Sequence, residues 1–175
     1  VGSEMCIRDR VEVYMNTRSY DAALKSIDRI AKPSAQILEA KQKILFQLGT
    51  QSFANADFEQ ALKYLNQSIA IGQYNRQTKA DAYYWCGESY YRLNRMVEAA
   101  RDFNAYLQLT TQPNNEMYAL ANYNLGYIAF HRKDYTQASN YFQKYVQLEK
   151  GENATALADA YNRIGDCHPV SYTHL

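Results

Sequence analysis

The chain has 175 residues, and its 19 basic and 18 acidic side chains leave a formal net charge of +1, without the basic surplus that marks a nucleic-acid binder. Its 47% hydrophobic and 21% charged residues fit a folded protein rather than a disordered one, and no apolar run reaches the roughly 18 residues that a membrane-crossing helix needs. Cys6, Cys86 and Cys167 are far apart with no CxxC pair, which gives neither a disulfide framework nor a zinc site, so no metal or other cofactor is expected. Against seventeen tyrosines stand only seven glycines and three prolines. So few chain breakers imply long regular elements joined by short turns.

Residues 1–10 (VGSEMCIRDR) and 169–175 (PVSYTHL) continue no pattern of the rest. They resemble translated sequencing-adapter fragments and read as non-native or disordered tails, to be set aside in fold reasoning. The remainder, 11–168, reads as a repeat array of about four copies, the first and last incomplete, cut from a larger bacterial protein.

In chain order, a damaged copy comes first: Val11, then Ser19 opening a helix, Ala23, and Ile27 four residues on. Pro33 marks the joint to the next copy, where a missing N–H does no harm. There Leu48-Gly49 is followed by a turn near Asn55, Asp57 with Gln60 as an approximate capping box, Ala61 and Leu65. The third stretch pairs a helix over 79–93 with another over 96–109, turning near Asn94. It has Cys86-Gly87, Ala99 and Phe103, with Arg95 where the cap would stand. After Pro113 come Leu125-Gly126, a turn near Lys133, Asp134 with Gln137, Ala138 and Phe142, and Ile164-Gly165 begins another copy. The glycines at 49, 87, 126 and 165 are 38, 39 and 39 residues apart.

A glycine inside a helix costs roughly 0.5–1 kcal/mol against alanine, so four at one register need a compensating gain. Close approach of the paired second helix at its alanine supplies one. The residue four past that alanine then falls on the same face. The expected fold is all-α: a right-handed superhelical solenoid of antiparallel helix pairs.

These residues resemble the tetratricopeptide repeat. The likeness rests on the Leu-Gly, Cys-Gly, Leu-Gly and Ile-Gly pairs and the alanine twelve residues on. It rests also on the aromatic three before that alanine (Tyr20, Phe58 and Tyr135, with Met96 in the third copy) and the large residue four after it. The family period is about 34 residues; the excess here falls at the inter-repeat joints. The family's alanine seven past the first is replaced by Ile30, Ser68, Tyr106 and Tyr145. ADAYYWCGESYYRLNRMVEAARDF is also similar to the longer repeats of bacterial envelope proteins, which favours the periplasm over the cytoplasm.

The resemblance implies that first helices line a concave face, at positions three before, one after and four after each glycine. Those positions hold Phe46, Thr50 and Phe53, then Tyr84, Glu88 and Tyr91, then Tyr123, Tyr127 and Phe130; all but Thr50 and Glu88 are aromatic. Rings of this kind dominate binding hot spots, although repeat stacking can also bury them. A partially exposed aromatic row is expected to take a protein or peptide segment, with Glu88 favouring a basic one. The carboxylate clamp of chaperone-binding relatives is matched at Asn124 and Arg163, but Tyr84, Glu88 and Asp159 fill its other places, which argues against that ligand. Cys86 and His131 fall on opposite faces of different first helices, so no nucleophile pair forms and no enzyme is expected. A structural spacer or the sensory repeats of a signalling protein are the alternatives to a binding scaffold.

Overall fold

The computed structural model describes residues 10–11, 18–113 and 115–168; the stretches 1–9 and 169–175 lie outside the described residues. Among the described residues there are eight α-helices, a three-residue 3-10 turn and no strand. The helices are α1 (Tyr20–Asp28), α2 (Ala35–Ala54), α3 (Phe58–Ala70), α4 (Arg76–Arg92), α5 (Met96–Leu109), α6 (Glu116–His131), α7 (Tyr135–Leu148) and α8 (Ala154–Asp166), with the 3-10 turn Gly72–Tyr74 before α4. The class is the all-α solenoid of helix pairs. No helix among the described residues is long and apolar enough to cross a membrane.

Two compact units divide between Asp102 and Phe103, within α5. In the first unit α1, α2, α3 and α4 pack in succession, and α2 also touches α4. In the second, α6 packs on α7 and α7 on α8. Val11 is 4% exposed and shares a cluster with Ala23, Ile27, Ile37, Ile44 and Leu48. The damaged first copy therefore keeps the packing of the others, with valine in the glycine column.

Local chemistry sets the helix starts. Asp57 Oδ1 accepts the Gln60 N–H and Asp134 Oδ1 the Gln137 N–H, each at 3.2 Å. Ser19 takes the N-cap position of α1 without a side-chain capping bond. Arg95 instead bonds Glu98 at 3.1 Å and lies 4.9 Å over the Tyr90 ring. The first helices carry caps of their own, which the repeat register does not announce. Ser34, Asn75, Asn115 and Asn153 accept from the N–H three residues on, satisfying donors that a helix start leaves unpaired.

Three of the first helices, α2, α4 and α6, end in a Schellman motif. The Asp57, Arg95 and Asp134 N–H groups reach back to the Ser52, Tyr90 and Ala129 carbonyls at 2.9, 2.8 and 3.0 Å. The residue before each is left-handed: Ala56 at φ 60°, Asn94 at 60° and Lys133 at 61°. The first of these turns centres one residue later than Asn55. Alanine and lysine are strained in this region, whereas asparagine tolerates it. Ala56→Gly and Lys133→Gly are each expected to stabilise by about 0.5–1 kcal/mol, with Asn94→Gly near neutral. Urea unfolding of the three single variants reads this directly, and equal effects at all three sites would contradict it.

The glycine column works through the residue four past the alanine. A Cβ on Gly49 would lie 2.6 Å from Leu65 Cγ and 3.4 Å from the Ala61 carbonyl oxygen, and one on Gly126 would lie 2.7 Å from Phe142 Cε1. Ala61, Ala99 and Ala138, with Leu65, Phe103 and Phe142, are all 0% exposed. At the column where the resemblance calls for a second alanine, Ser68, Tyr106 and Tyr145 are also fully buried. Their hydroxyls reach Gln42 O, Asn115 Oδ1 and Glu149 Oε2 at 2.8, 3.0 and 3.1 Å. Glu149 in turn accepts the Glu152 and Asn153 N–H groups. The two tyrosines thus fill the added volume and hold the residues that lengthen the joints.

Candidate functional site

In the first unit, α2 and α4 place Phe46, Phe53, Tyr84, Glu88 and Tyr91. Phe53 is half-buried, meeting Phe58 edge-on at 5.3 Å and Trp85 at 4.9 Å, with the Arg92 guanidinium 5.6 Å above its ring. Trp85, which the first-helix columns do not select, is therefore part of this cluster. Phe46 and Tyr91 are half-buried. Burial pushes the Tyr91 phenol up from its ordinary value, the Glu88 charge adds to this, and Arg92 opposes it.

Tyr84 departs from the expected partial exposure: it is 3% exposed. Its ring stands edge-on to Trp85 at 5.2 Å and its hydroxyl donates to Glu88 Oε1 at 3.0 Å, one helical turn on. A tyrosine with a carboxylate four residues later can satisfy its hydroxyl along its own helix, which lets the ring sink into the core.

In the second unit, α6 places Tyr123, Tyr127 and Phe130, all half-buried and packed on the core of Ala138, Phe142, Tyr145 and Ala160. Tyr123 lies 4.9 Å from Tyr145, and Tyr127 meets Phe142 edge-on at 5.1 Å. Their hydroxyls converge on one acceptor, Asp159 Oδ2 of α8: Tyr123 donates at 2.8 Å, and Tyr127 donates to the same oxygen. Both phenols are pushed up, first by burial and then by these bonds to Asp159. Arg163 lies 3.7 Å from Asp159 and 2.8 Å from Asp166, with its guanidinium 5.8 Å over Phe130. The two clamp positions at 159 and 163 are thus engaged with each other and with the tyrosines.

Cys86 is fully buried, its thiol facing Asn66 Oδ1 at 3.8 Å. Burial, with the nearby Asp102 carboxylate adding to it, pushes the thiol far above its ordinary range. A thiol so held stays protonated and is a small hydrophobe rather than a nucleophile. A cavity of about 190 Å³ opens between the start of α6 and the α7–α8 joint, lined by Asn115, Glu116, Leu148, Glu149 and Glu152 among others. Among the described residues no group of three or more His, Cys, Asp or Glu side chains is placed to hold a metal ion.

Two family models described as tetratricopeptide repeat match the chain, one over residues 46–116 and the other over 119–151. No curated protein matches it. Among solved structures, a crystal structure of MamA is 18% identical, with 98% of this chain and 84% of that chain covered and a TM-score of 0.62. BtubC (BKLC) from P. vanneervenii is 14% identical, with 94% and 68% covered and a TM-score of 0.67. YrrB, described as a TPR protein with an unusual peptide-binding site, is 15% identical, with 92% and 74% covered and a TM-score of 0.62.

Proposed function

Because the chain belongs to the tetratricopeptide repeat family and is a scaffold for protein–protein interaction, we propose that each unit holds a partner segment against the half-buried rings of its own first helices. The observation that carries the reading is the state of those rings. Phe53 and Tyr91 in the first unit, and Phe130 in the second, are neither in the core nor fully exposed. Phe53 and Phe130 are fixed by their neighbours, so little rotamer freedom is lost when a partner covers them. Arg92 over Phe53 and Arg163 over Phe130 occupy the geometry a partner's Lys or Arg would take on Tyr91 beside Glu88. An apolar segment with basic residues is the partner chemistry that fits. The peptide-binding site in the description of YrrB supports the reading through likeness of fold.

The test is a titration of the 175-residue chain with an apolar, lysine-bearing peptide and its glutamate-substituted counterpart. The lysine peptide is expected to bind and the glutamate one not. Truncating a hot-spot ring costs about 2 kcal/mol or more, so a Tyr91→Ala, Phe130→Ala variant should lose the lysine peptide while keeping helicity and thermal midpoint. An equally folded variant that binds as before would overturn the reading. The alternative is a spacer with no ligand, and one observation favours it in the second unit: Asp159 ties Tyr123 and Tyr127 into the contact of α6 with α8.

A further inference from the structure

Asp102, on α5 at the edge of the first unit, is 2% exposed, yet only one of its carboxylate oxygens is engaged. Oδ1 accepts from Arg101 Nε at 2.9 Å, whereas Oδ2 is buried with no hydrogen-bond partner among the described residues. Arg101 is the adjacent residue, and its side chain is 63% exposed with the guanidinium 5.8 Å over the Tyr90 ring. A charged carboxylate taken out of water needs its lone pairs satisfied. Here one oxygen leans on a cation that is itself mostly in solvent, and the other on nothing.

The repeat itself does not require a carboxylate there. Asp102 lies three residues past Ala99, and the same column holds Ser26, Tyr64 and Tyr141, all half-buried and each bearing a hydroxyl. Among the described residues, the groups that act on Asp102 are Arg101 and Glu98 on its own helix and, on α4, the Cys86 thiol, which stays protonated. Burial raises the Asp102 carboxyl above its ordinary value and Glu98 adds to this, while the bond and charge of Arg101 only partly oppose it.

We infer that Asp102 is a proton-operated clasp: a proton taken up on Oδ2 removes the buried charge beside Cys86 of α4, so the first unit is held more firmly in mild acid than at neutral pH. The clasp does not depend on what the rings at 53, 91 and 130 bind. The folded chain takes up this proton before the unfolded chain does. Stability therefore rises as pH falls through the folded value, and the gain is complete below the ordinary value of 3.8. Asp81 of the same unit acts in the same direction, chiefly through burial. Glu98, lowered chiefly by a bond with its own backbone, acts oppositely, but only below its ordinary value of 4.5.

Trp85 is the single tryptophan and lies on α4, so its fluorescence follows urea unfolding of this unit. The test compares the 175-residue chain with Asp102→Asn, which keeps the shape and leaves an oxygen for Arg101. Between about pH 7 and pH 4.5, the midpoint of the parent should rise relative to that of the variant as pH falls. In carboxyl NMR, the signal missing from the variant should titrate above the ordinary aspartate value. In Arg101→Gln it should titrate higher still, because the charged form loses its only partner; the Arg101 side chain is exposed, so that variant keeps its fold. A midpoint difference that does not change with pH, or an Asp102 carboxyl titrating at or below 3.8, would each overturn the inference.

Discussion

Gly126→Leu is expected to destabilise the chain by about 3 kcal/mol or more, at the upper end of overpacking costs. A Cβ alone at this position would lie 2.7, 2.8 and 2.9 Å from three atoms of the Phe142 ring. That ring is 0% exposed, with Tyr123 at 6.0 Å and Tyr127 at 5.1 Å. It is a rigid plane with no open side to turn into, and leucine adds three more carbons to the clash. Relief therefore requires α6 and α7 to separate, which opens the core of the second unit. The measurement is urea unfolding followed by circular dichroism: the midpoint should fall with the slope unchanged. Adding Phe142→Leu, a smaller and more flexible neighbour, should recover part of the loss, because residues in contact do not behave additively. A change within about 0.5 kcal/mol, the range of ordinary surface substitutions, would mean that the glycine column is not a packing constraint.

The same constraint explains why so much of the fold is legible in the residues. Close helix crossings admit few side chains, so glycine, alanine and a large residue recur at fixed distances. Even Val11 is placed by counting back 38 residues from Gly49, and it packs with Ala23 and Ile27. Less is legible where chemistry permits more than one arrangement. The caps at Asn75, Asn115 and Asn153 are 40 and 38 residues apart, because the joints vary in length. Asn94 announces a left-handed turn by its type, whereas Ala56 in the same column gives no sign of one.

The candidate site is harder still. An aromatic on a first-helix column has the same spacing whether it faces a partner or a neighbouring helix. Tyr84 is drawn inward by its bond to Glu88, and Tyr123 and Tyr127 are tied to a residue 36 and 32 positions away. The column of Asp159 holds Lys43, Asp81 and Leu120 in the earlier copies, so the carboxylate recurs in only one of three and does not announce the acceptor. Asp81 itself takes a bond from Gln77 of its own helix. Spacing identifies which residues share a row; the partners of their hydroxyls decide how much of each ring is left for a ligand.

Those hydroxyls also set an alkaline limit on stability. Tyr145 is fully buried; burial, and then the bond to Glu149, push its phenol from 10.0 up to about 12. Tyr91, Tyr123 and Tyr127 are raised as well, each chiefly by burial. A phenol with a raised folded value keeps its proton when the unfolded chain has already released it. Between the two values the unfolded state binds fewer protons, so stability falls as pH rises. The contribution is fully present below about pH 10 and is lost toward about pH 12. For Tyr145 alone the interval corresponds to about 2–3 kcal/mol, and the other three tyrosines act in the same direction. Urea midpoints measured between about pH 8 and pH 12 should be level at first and then drop. Tyr145→Phe keeps the ring and leaves Glu149 its two backbone donors, so it should fold at neutral pH and lose less stability over the alkaline interval. If the variant drops as steeply as the parent, or the parent does not drop, the buried hydroxyl of Tyr145 does not set the limit.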